Sequence, residues 1–174
     1  MAASRLVTLD DVPALTQMLV DSREFLAPWE PLRTDDYFTI EGQRKLIQQA
    51  LEQHEQGMSL PHVIVGDAGQ VVGRITLKTI VRGPFQSCAL GYWVGREHNG
   101  RGHATKAVAV IKRVAFEELG LHRIEAATLL HNTASQRVLD RNGFVRFGVA
   151  PSYLKIAGEW QDMAIYQVLT TAAM

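Results

Sequence analysis

One stretch constrains the fold more than any other: Leu90-Gly91-Tyr92-Trp93-Val94-Gly95-Arg96-Glu97-His98-Asn99-Gly100-Arg101-Gly102-His103-Ala104-Thr105-Lys106. Leu90 to Val94 is short, apolar and rich in aromatic and β-branched side chains, which favours a strand. Gly100 and Gly102 then allow positive φ and a close approach to the backbone. Beyond them Ala104, Ala107, Val108, Ile111, Val114, Ala115 and Leu119 recur at helical spacing. A strand thus passes through a glycine-rich turn into an amphipathic helix. The first N–H groups of a helix lack internal partners and sit at the positive end of its dipole. The backbone from Gly100 to Thr105 is therefore a candidate phosphate or pyrophosphate site, with Arg101, His103 and Lys106 as further contacts.

Two common phosphate loops do not fit. The pattern G-x-x-x-x-G-K-[ST] is absent, and Gly100-Arg101-Gly102 is followed by His103-Ala104-Thr105, without the third glycine of G-x-G-x-x-G. Taken alone, the loop reads equally well as a plain strand-to-helix turn.

At 174 residues the chain suits a single domain, 1–174, with a sizeable core. Arg5 to Leu9 reads as a first strand and Asp10 as a helix cap, with Val12, Leu15, Met18 and Leu19 on the buried face. Pro28 and Pro31 end that helix in a loop bearing Phe25 and Trp29. Thr39 caps a second helix that turns Leu46, Ile47, Ala50 and Leu51 inward and stops near Gly57. Val63 to Val65 and Arg74 to Lys78 flank a turn at Asp67-Ala68-Gly69. The long helix ends near Gly120. A strand at Arg123 to Leu129 and a short helix from His131 to Asn142 follow, with Gly143 as the stop. Phe144 to Ile156, broken at Pro151, turns at Ala157-Gly158 into Gln161 to Val168. The order β-α-α-β-β-β-α-β-α-β-β predicts an α/β fold, a mixed sheet with helices on both faces.

Four segments carry a resemblance. Asn99-Gly100-Arg101-Gly102-His103-Ala104 is similar to the pyrophosphate loop Q/R-x-x-G-x-G/A of the GNAT acetyltransferases, with Asn where that family prefers Gln or Arg. Asn132-Thr133-Ala134-Ser135-Gln136-Arg137-Val138-Leu139-Asp140-Arg141-Asn142-Gly143-Phe144 resembles N-x-x-S-x-x-[VL]-[LA]-x-x-x-G-F of the Rim-type branch. Ala150 to Asp162 resembles the final hairpin of that branch, with Met163 where its members often carry His, and Arg23 to Pro31 resembles its acceptor-side loop. The resemblance covers nearly the whole chain. It implies the GNAT fold, mostly antiparallel in its central sheet, and acetyl-CoA as cosubstrate. It also implies transfer to a primary amine, most directly the N-terminal α-amine of a ribosomal protein. On this reading Trp93, Val94, Asn99, Gly100, Arg101, Gly102, His103, Ala104, Thr105, Asn132 and Ser135 face the cofactor. Glu24, Phe25, Trp29 and Tyr153 line the acceptor groove, and the central strand splays from the next one to admit the pantetheine arm.

Simpler readings stand beside each feature. Asn132 and Ser135 fit a helix cap and first turn, the three tryptophans fit packing, and Arg101, Lys106, Arg137 and Arg141 fit a solvated face. A helix-turn-helix regulator would use Thr133 to Phe144 as a recognition helix. A non-catalytic acyl-CoA-binding module would keep the glycine loop without needing Ser135. With 18 basic and 18 acidic residues the net charge is zero, which counts against nucleic acid and anionic membrane as partners. His98 and His103 lack a ligand pattern with other His or Cys, so no metal is expected. The lone Cys88 reads as a small buried hydrophobe. Met1-Ala2-Ala3-Ser4-Arg5 lacks the apolar core of a signal peptide and no run is long enough to span a bilayer. A cytoplasmic protein, monomer or homodimer, is expected.

The chemistry expected is direct attack by a neutral amine on the acetyl carbonyl in a ternary complex. The resemblance implies the Val94 N–H as oxyanion donor. Ser135 is the first candidate to protonate the departing thiolate, with Tyr153 and Tyr166 as alternatives. No carboxylate or histidine stands out as a strong base; Glu24 and Glu41 are the acceptor-side candidates. An α-amine needs little help. With a pKa of about 7.7–8.0 roughly a quarter of it is neutral near pH 7.4, against about one lysine amine in a thousand. A small-molecule amine such as an antibiotic or polyamine is the alternative acceptor.

Overall fold

The computed structural model describes residues 3–171, so Met1, Ala2 and the outer ends of the expected 1–174 domain lie outside the described residues. Seven strands form one sheet in the order β1-β2-β3-β4-β5-β7-β6. They are β1 (Ser4–Leu6), β2 (Leu60–Val65), β3 (Val71–Val81), β4 (Ser87–Val94), β5 (Arg123–Leu129), β6 (Val145–Ile156) and β7 (Glu159–Leu169). Every neighbouring pair is antiparallel except β4 and β5. A parallel pair needs a crossover, and α4 (His103–Arg113) supplies it. One wider turn at Val114–Glu118 closes the crossover, where the Leu119 N–H donates to the Val114 carbonyl at 2.9 Å.

Alternation along the strands sends successive side chains to opposite faces. On one face Ile64, Ile75, Leu77, Leu90 and Ile124 pack with Ala107, Val108 and Ile111 of α4 and Leu139 of α5 (Thr133–Arg141). On the other, Val63 packs with Val12 and Leu15 of α1 (Val12–Asp21) and Ile47 of α3 (Ile40–Glu55). Helices therefore cover both faces, and the expected element order holds, with a four-residue α2 (Arg23–Leu26) added.

The boundaries shift where tertiary contacts decide them. The first cap is not Asp10: Asp11 turns back, accepting from the Thr8 N–H at 2.8 Å while binding Arg5 at 2.7 Å. Helix α1 stops at Asp21, before either proline: Ser22 departs from helical backbone with a ψ of 4°, and its hydroxyl accepts the Arg96 N–H at 3.0 Å. That bond ties the acceptor-side loop to the end of β4. The expected break at Pro151 is a bulge: β6 continues, but Pro151, Ser152 and Tyr153 have no ladder partners between Ala150↔Met163 and Leu154↔Gln161, and Ser152 takes a φ of +44°.

Candidate active site

The sheet opens at its centre. β4 and β5 pair only at Ser87↔Arg123, Cys88↔Ile124 and Ala89↔Glu125. Yet β4 stays on β3 as far as Val94, and β5 stays on β7 as far as Leu129. The two strand ends therefore part, as the resemblance implies. The Gly95 N–H donates to the Val72 carbonyl at 2.9 Å, and antiparallel bonds to one neighbour involve alternate residues. Val94, paired with Gly73, is thus at a position whose N–H points away from β3. The N–H and C=O groups of Tyr92 and Val94 share that parity, lie beyond the last β4–β5 pair and face the opening.

The glycine turn stands at the same end. Gly100 and Gly102 have φ of +75° and +79°, and a Cβ on either would meet open space. Glycine is demanded there by conformation, not by crowding from the protein. Lys106 N–H bonds back to the Gly102 carbonyl at 3.1 Å, whereas the amides of His103, Ala104 and Thr105 find no acceptor in the described chain. These amides and the open Cβ positions make a cradle suited to a diphosphate. His103 is buried, and Lys106 already pairs with Asp67 at 3.2 Å. Asn99, Arg101 and Thr105 belong to the same turn and first helical turn.

Helix α5 borders the opening from the α4 side. The Asn132 carboxamide accepts the Ser135 N–H at 3.2 Å and so caps the helix. The Ser135 hydroxyl takes no part in capping. It lies 2.8 Å from the Tyr92 hydroxyl, which is also 3.3 Å from the Ser135 carbonyl oxygen. Burial pushes the Tyr92 phenol up to about 12, against the hydrogen bond it shares with Ser135, which lowers it. Tyr92 therefore stays protonated near neutrality. Thr128, on β5 beyond the point of separation, keeps its hydroxyl buried without a partner. Alternation from Ala126 places it on the Tyr92 face, where an arm bearing amides would satisfy it.

The acceptor-side residues gather over the strand ends. The Trp29 ring stands 5.6 Å from that of His131, which leads into Asn132. The Glu30 carbonyl accepts the Ala157 N–H of the final hairpin at 2.9 Å. A groove of about 340 Å³ runs between Leu129, Leu130, His131, Trp160, Gln161 and Asp162. Phe25 is half-buried, and Glu24 and Glu41 are exposed, Glu41 with Lys45 at 3.5 Å. Glu30 is the carboxylate that this loop buries in part, and burial raises its pKa against the pull of Arg33. Tyr153 is exposed on β6, and Trp93 packs its ring into the α1–α3 side of the core. Tyr166 belongs to the core on the α4 side, its pKa raised by burial and by Asp140. Cys88 is buried, and burial pushes its thiol up to about 12, far from a thiolate nucleophile. Among the described residues no helix is long and apolar enough to cross a membrane, and no group of three or more His, Cys, Asp or Glu is placed to hold a metal.

Sequence reasoning missed Tyr92, Thr128, Glu30 and His131. Strand alternation places Tyr92 and Leu90 on one face and Trp93 on the other, a signal that separates the two aromatics. Nothing local connects Tyr92 with Ser135, 43 residues later.

The Acetyltransferase (GNAT) domain model matches residues 4–145. The chain is 37% identical over 150 residues to the probable N-acetyltransferase YjcK of Bacillus subtilis, covering 86% of this chain and 83% of that one. It is 32% identical over 167 residues to the Escherichia coli [ribosomal protein uS5]-alanine N-acetyltransferase, covering 95% and 86%. Mycobacterium smegmatis RimJ, solved in complex with CoA-disulfide, superposes with a TM-score of 0.92 at 30% identity, over 95% of this chain and 80% of that one. With an open central sheet, a glycine cradle and these relatives, the chain belongs to the GNAT acetyltransferases, as an N-acetyltransferase of their Rim type that uses acetyl-CoA as cosubstrate.

Proposed function

We propose that this protein acetylates the N-terminal α-amine of a protein, a ribosomal protein first among candidates. One observation carries the choice of acceptor: a relative that the chain matches over 95% of its length bears the name of a ribosomal-protein-alanine N-acetyltransferase. The site agrees with it. The acceptor side holds one half-buried carboxylate, Glu30, and no strong base, which suits an amine already neutral in good part near pH 7.4.

Acetyl-CoA supplies an acetyl group on a thiol whose pKa, like that of cysteine, is about 8.5. The Gly100–Thr105 backbone holds the diphosphate, and Thr128 with the free edge of β4 takes the extended arm. The acceptor approaches from the Trp29–His131 side, and its neutral nitrogen forms the new C–N bond as the C–S bond breaks. The Val94 N–H faces the opening and stabilises the carbonyl oxygen as charge develops there. Tyr92, the stronger proton donor of the pair, hydrogen-bonds Ser135 Oγ; the serine proton goes to the departing sulfur, Tyr92 passes its own to Ser135, and solvent, which receives the amine proton, returns one to the phenol. The amine proton leaves through solvent, with Glu30 as the half-buried carboxylate on the acceptor side.

A panel of N-terminal peptides, lysine peptides with blocked α-amines, and small amines, assayed for CoA release, tests the acceptor. Peptide turnover through the α-amine is expected, and turnover confined to small amines would overturn the reading.

A further inference from the structure

Arg74 is a half-buried cation without a hydrogen-bond or ion-pair partner among the described residues. It lies on β3 directly across from Trp93 of β4, on the α1–α3 face of the sheet. Its Nε is sealed from solvent and has no hydrogen-bond partner, and no ion pair reaches its guanidinium among the described residues. Burial pulls its pKa below the usual arginine range, with Tyr37 acting in the opposite direction. Removing a charge from water without a partner is costly.

The neighbours show what this cation is beside. The Tyr37 hydroxyl feels Arg33, Glu30 and Arg74 together, so these groups converge beneath the loop that follows α2. The Arg33 guanidinium covers the Tyr37 ring at 4.4 Å and reaches Glu30 only at 3.8 Å. The same loop carries Trp29 against His131 and holds the hairpin through Glu30 and Ala157. Arg74 thus lies at the inner end of the acceptor side, one strand from the open edge of β4.

We propose that Arg74 determines acceptor specificity: its guanidinium takes an oxygen carried close to the reacting amine, a peptide carbonyl or a carboxylate, and it repels polyamines. This rests on the amine-acetylating reading of the same site. A guanidinium presents a fixed fork of donors that suits such oxygens. A polyamine brings a second cation and no acceptor, so it leaves Arg74 unpaired and adds repulsion.

The test compares wild type, Arg74→Met and Arg74→Lys on an alanine-initiated peptide, free alanine and spermidine, with unfolding midpoints measured in parallel. In Arg74→Met the KM for the peptide is expected to rise about tenfold or more, in line with loss of a charge-assisted hydrogen bond. The KM for acetyl-CoA should move less than about twofold, and spermidine turnover should rise. The unfolding midpoint should hold or increase, because a half-buried charge without a protein partner has been removed. A scaffold role for Arg74 would lower it instead. Arg74→Lys keeps the charge but not the fork, so its peptide KM should fall between the other two, and it supplies the answer if Arg74→Met does not fold. Wild type turning over peptides while neither variant changes their KM would show that solvent satisfies the guanidinium, which overturns this proposal alone. Wild type using free alanine instead of peptides would overturn the protein-acceptor reading, and the KM rise would then be read on alanine. Wild type preferring spermidine would overturn both.

Discussion

The Tyr92 and Ser135 hydroxyls meet at 2.8 Å across the place where β4 and β5 separate. Tyr92 comes from the strand that would meet the acyl arm, and Ser135 from the first turn of α5. A core hydroxyl pair that served only packing would have no need of an open sheet beside it.

Removing either hydroxyl should cost turnover, not binding. Ser135→Ala is expected to lower kcat by about 10²-fold, the low end for loss of a general acid. Tyr92→Phe should lower it less, because the serine keeps its own proton. The double variant should be hardly worse than Ser135→Ala, since the two act as one unit. Stability separates this from capping. Asn132→Ala removes the cap and should cost about 1 kcal/mol, whereas Ser135→Ala leaves the cap in place. Additive losses in kcat, or a Ser135→Ala variant that is fully active, would remove the pair from the chemistry.

Gly102→Val should weaken acetyl-CoA binding by about tenfold or more, because its side chain would enter the space held open at the cradle. A left-handed φ also strains any branched residue, by roughly 1–2 kcal/mol. Gly57 supplies the control: its φ is +73°, it too faces open space, and it lies at the far end of α3. Gly57→Val should lose similar stability and keep its affinity in calorimetry. Equal affinities for the two variants would misplace the diphosphate.

His62 should make the fold acid-sensitive. Burial, and next the charge of His54, hold its pKa down to about 4, and its Nδ1 lies 3.1 Å from the Ser4 hydroxyl. The folded protein therefore binds the proton less readily than the unfolded chain, whose histidine titrates near 6.5. The stability tied to neutral His62 is present above about pH 6.5 and is lost as pH falls toward about 4. His62→Gln should flatten the unfolding midpoint across that window. An unchanged slope would place the acid sensitivity elsewhere.

Much of this was legible because its signals are local. The run from Leu90 to Lys106 announces strand, turn and helix through side-chain spacing and two glycines, and Asn132 to Gly143 announces a capped helix and its stop. What was hidden depends on distant partners. Ser22 closes α1 beside the distant Arg96, whose N–H its hydroxyl accepts, and the bulge at Pro151 is defined by the pairing of β6 with β7. Tyr92 is bound to Ser135, and Arg74 is stranded beside Tyr37, only because separate elements were folded together. Asp10 is a good cap on paper, but the turn starts at Thr8, whose N–H is accepted by Asp11, which Arg5 holds in place.

The most direct test is to incubate wild-type protein and acetyl-CoA with a ribosomal-type peptide that begins with alanine and contains an internal lysine, then map the acetyl group by fragmentation mass spectrometry. The account predicts one acetyl group on the α-amine and an unmodified lysine. Acetylation of the lysine with a free N-terminus, or no transfer to the peptide while a small amine is turned over, would contradict it.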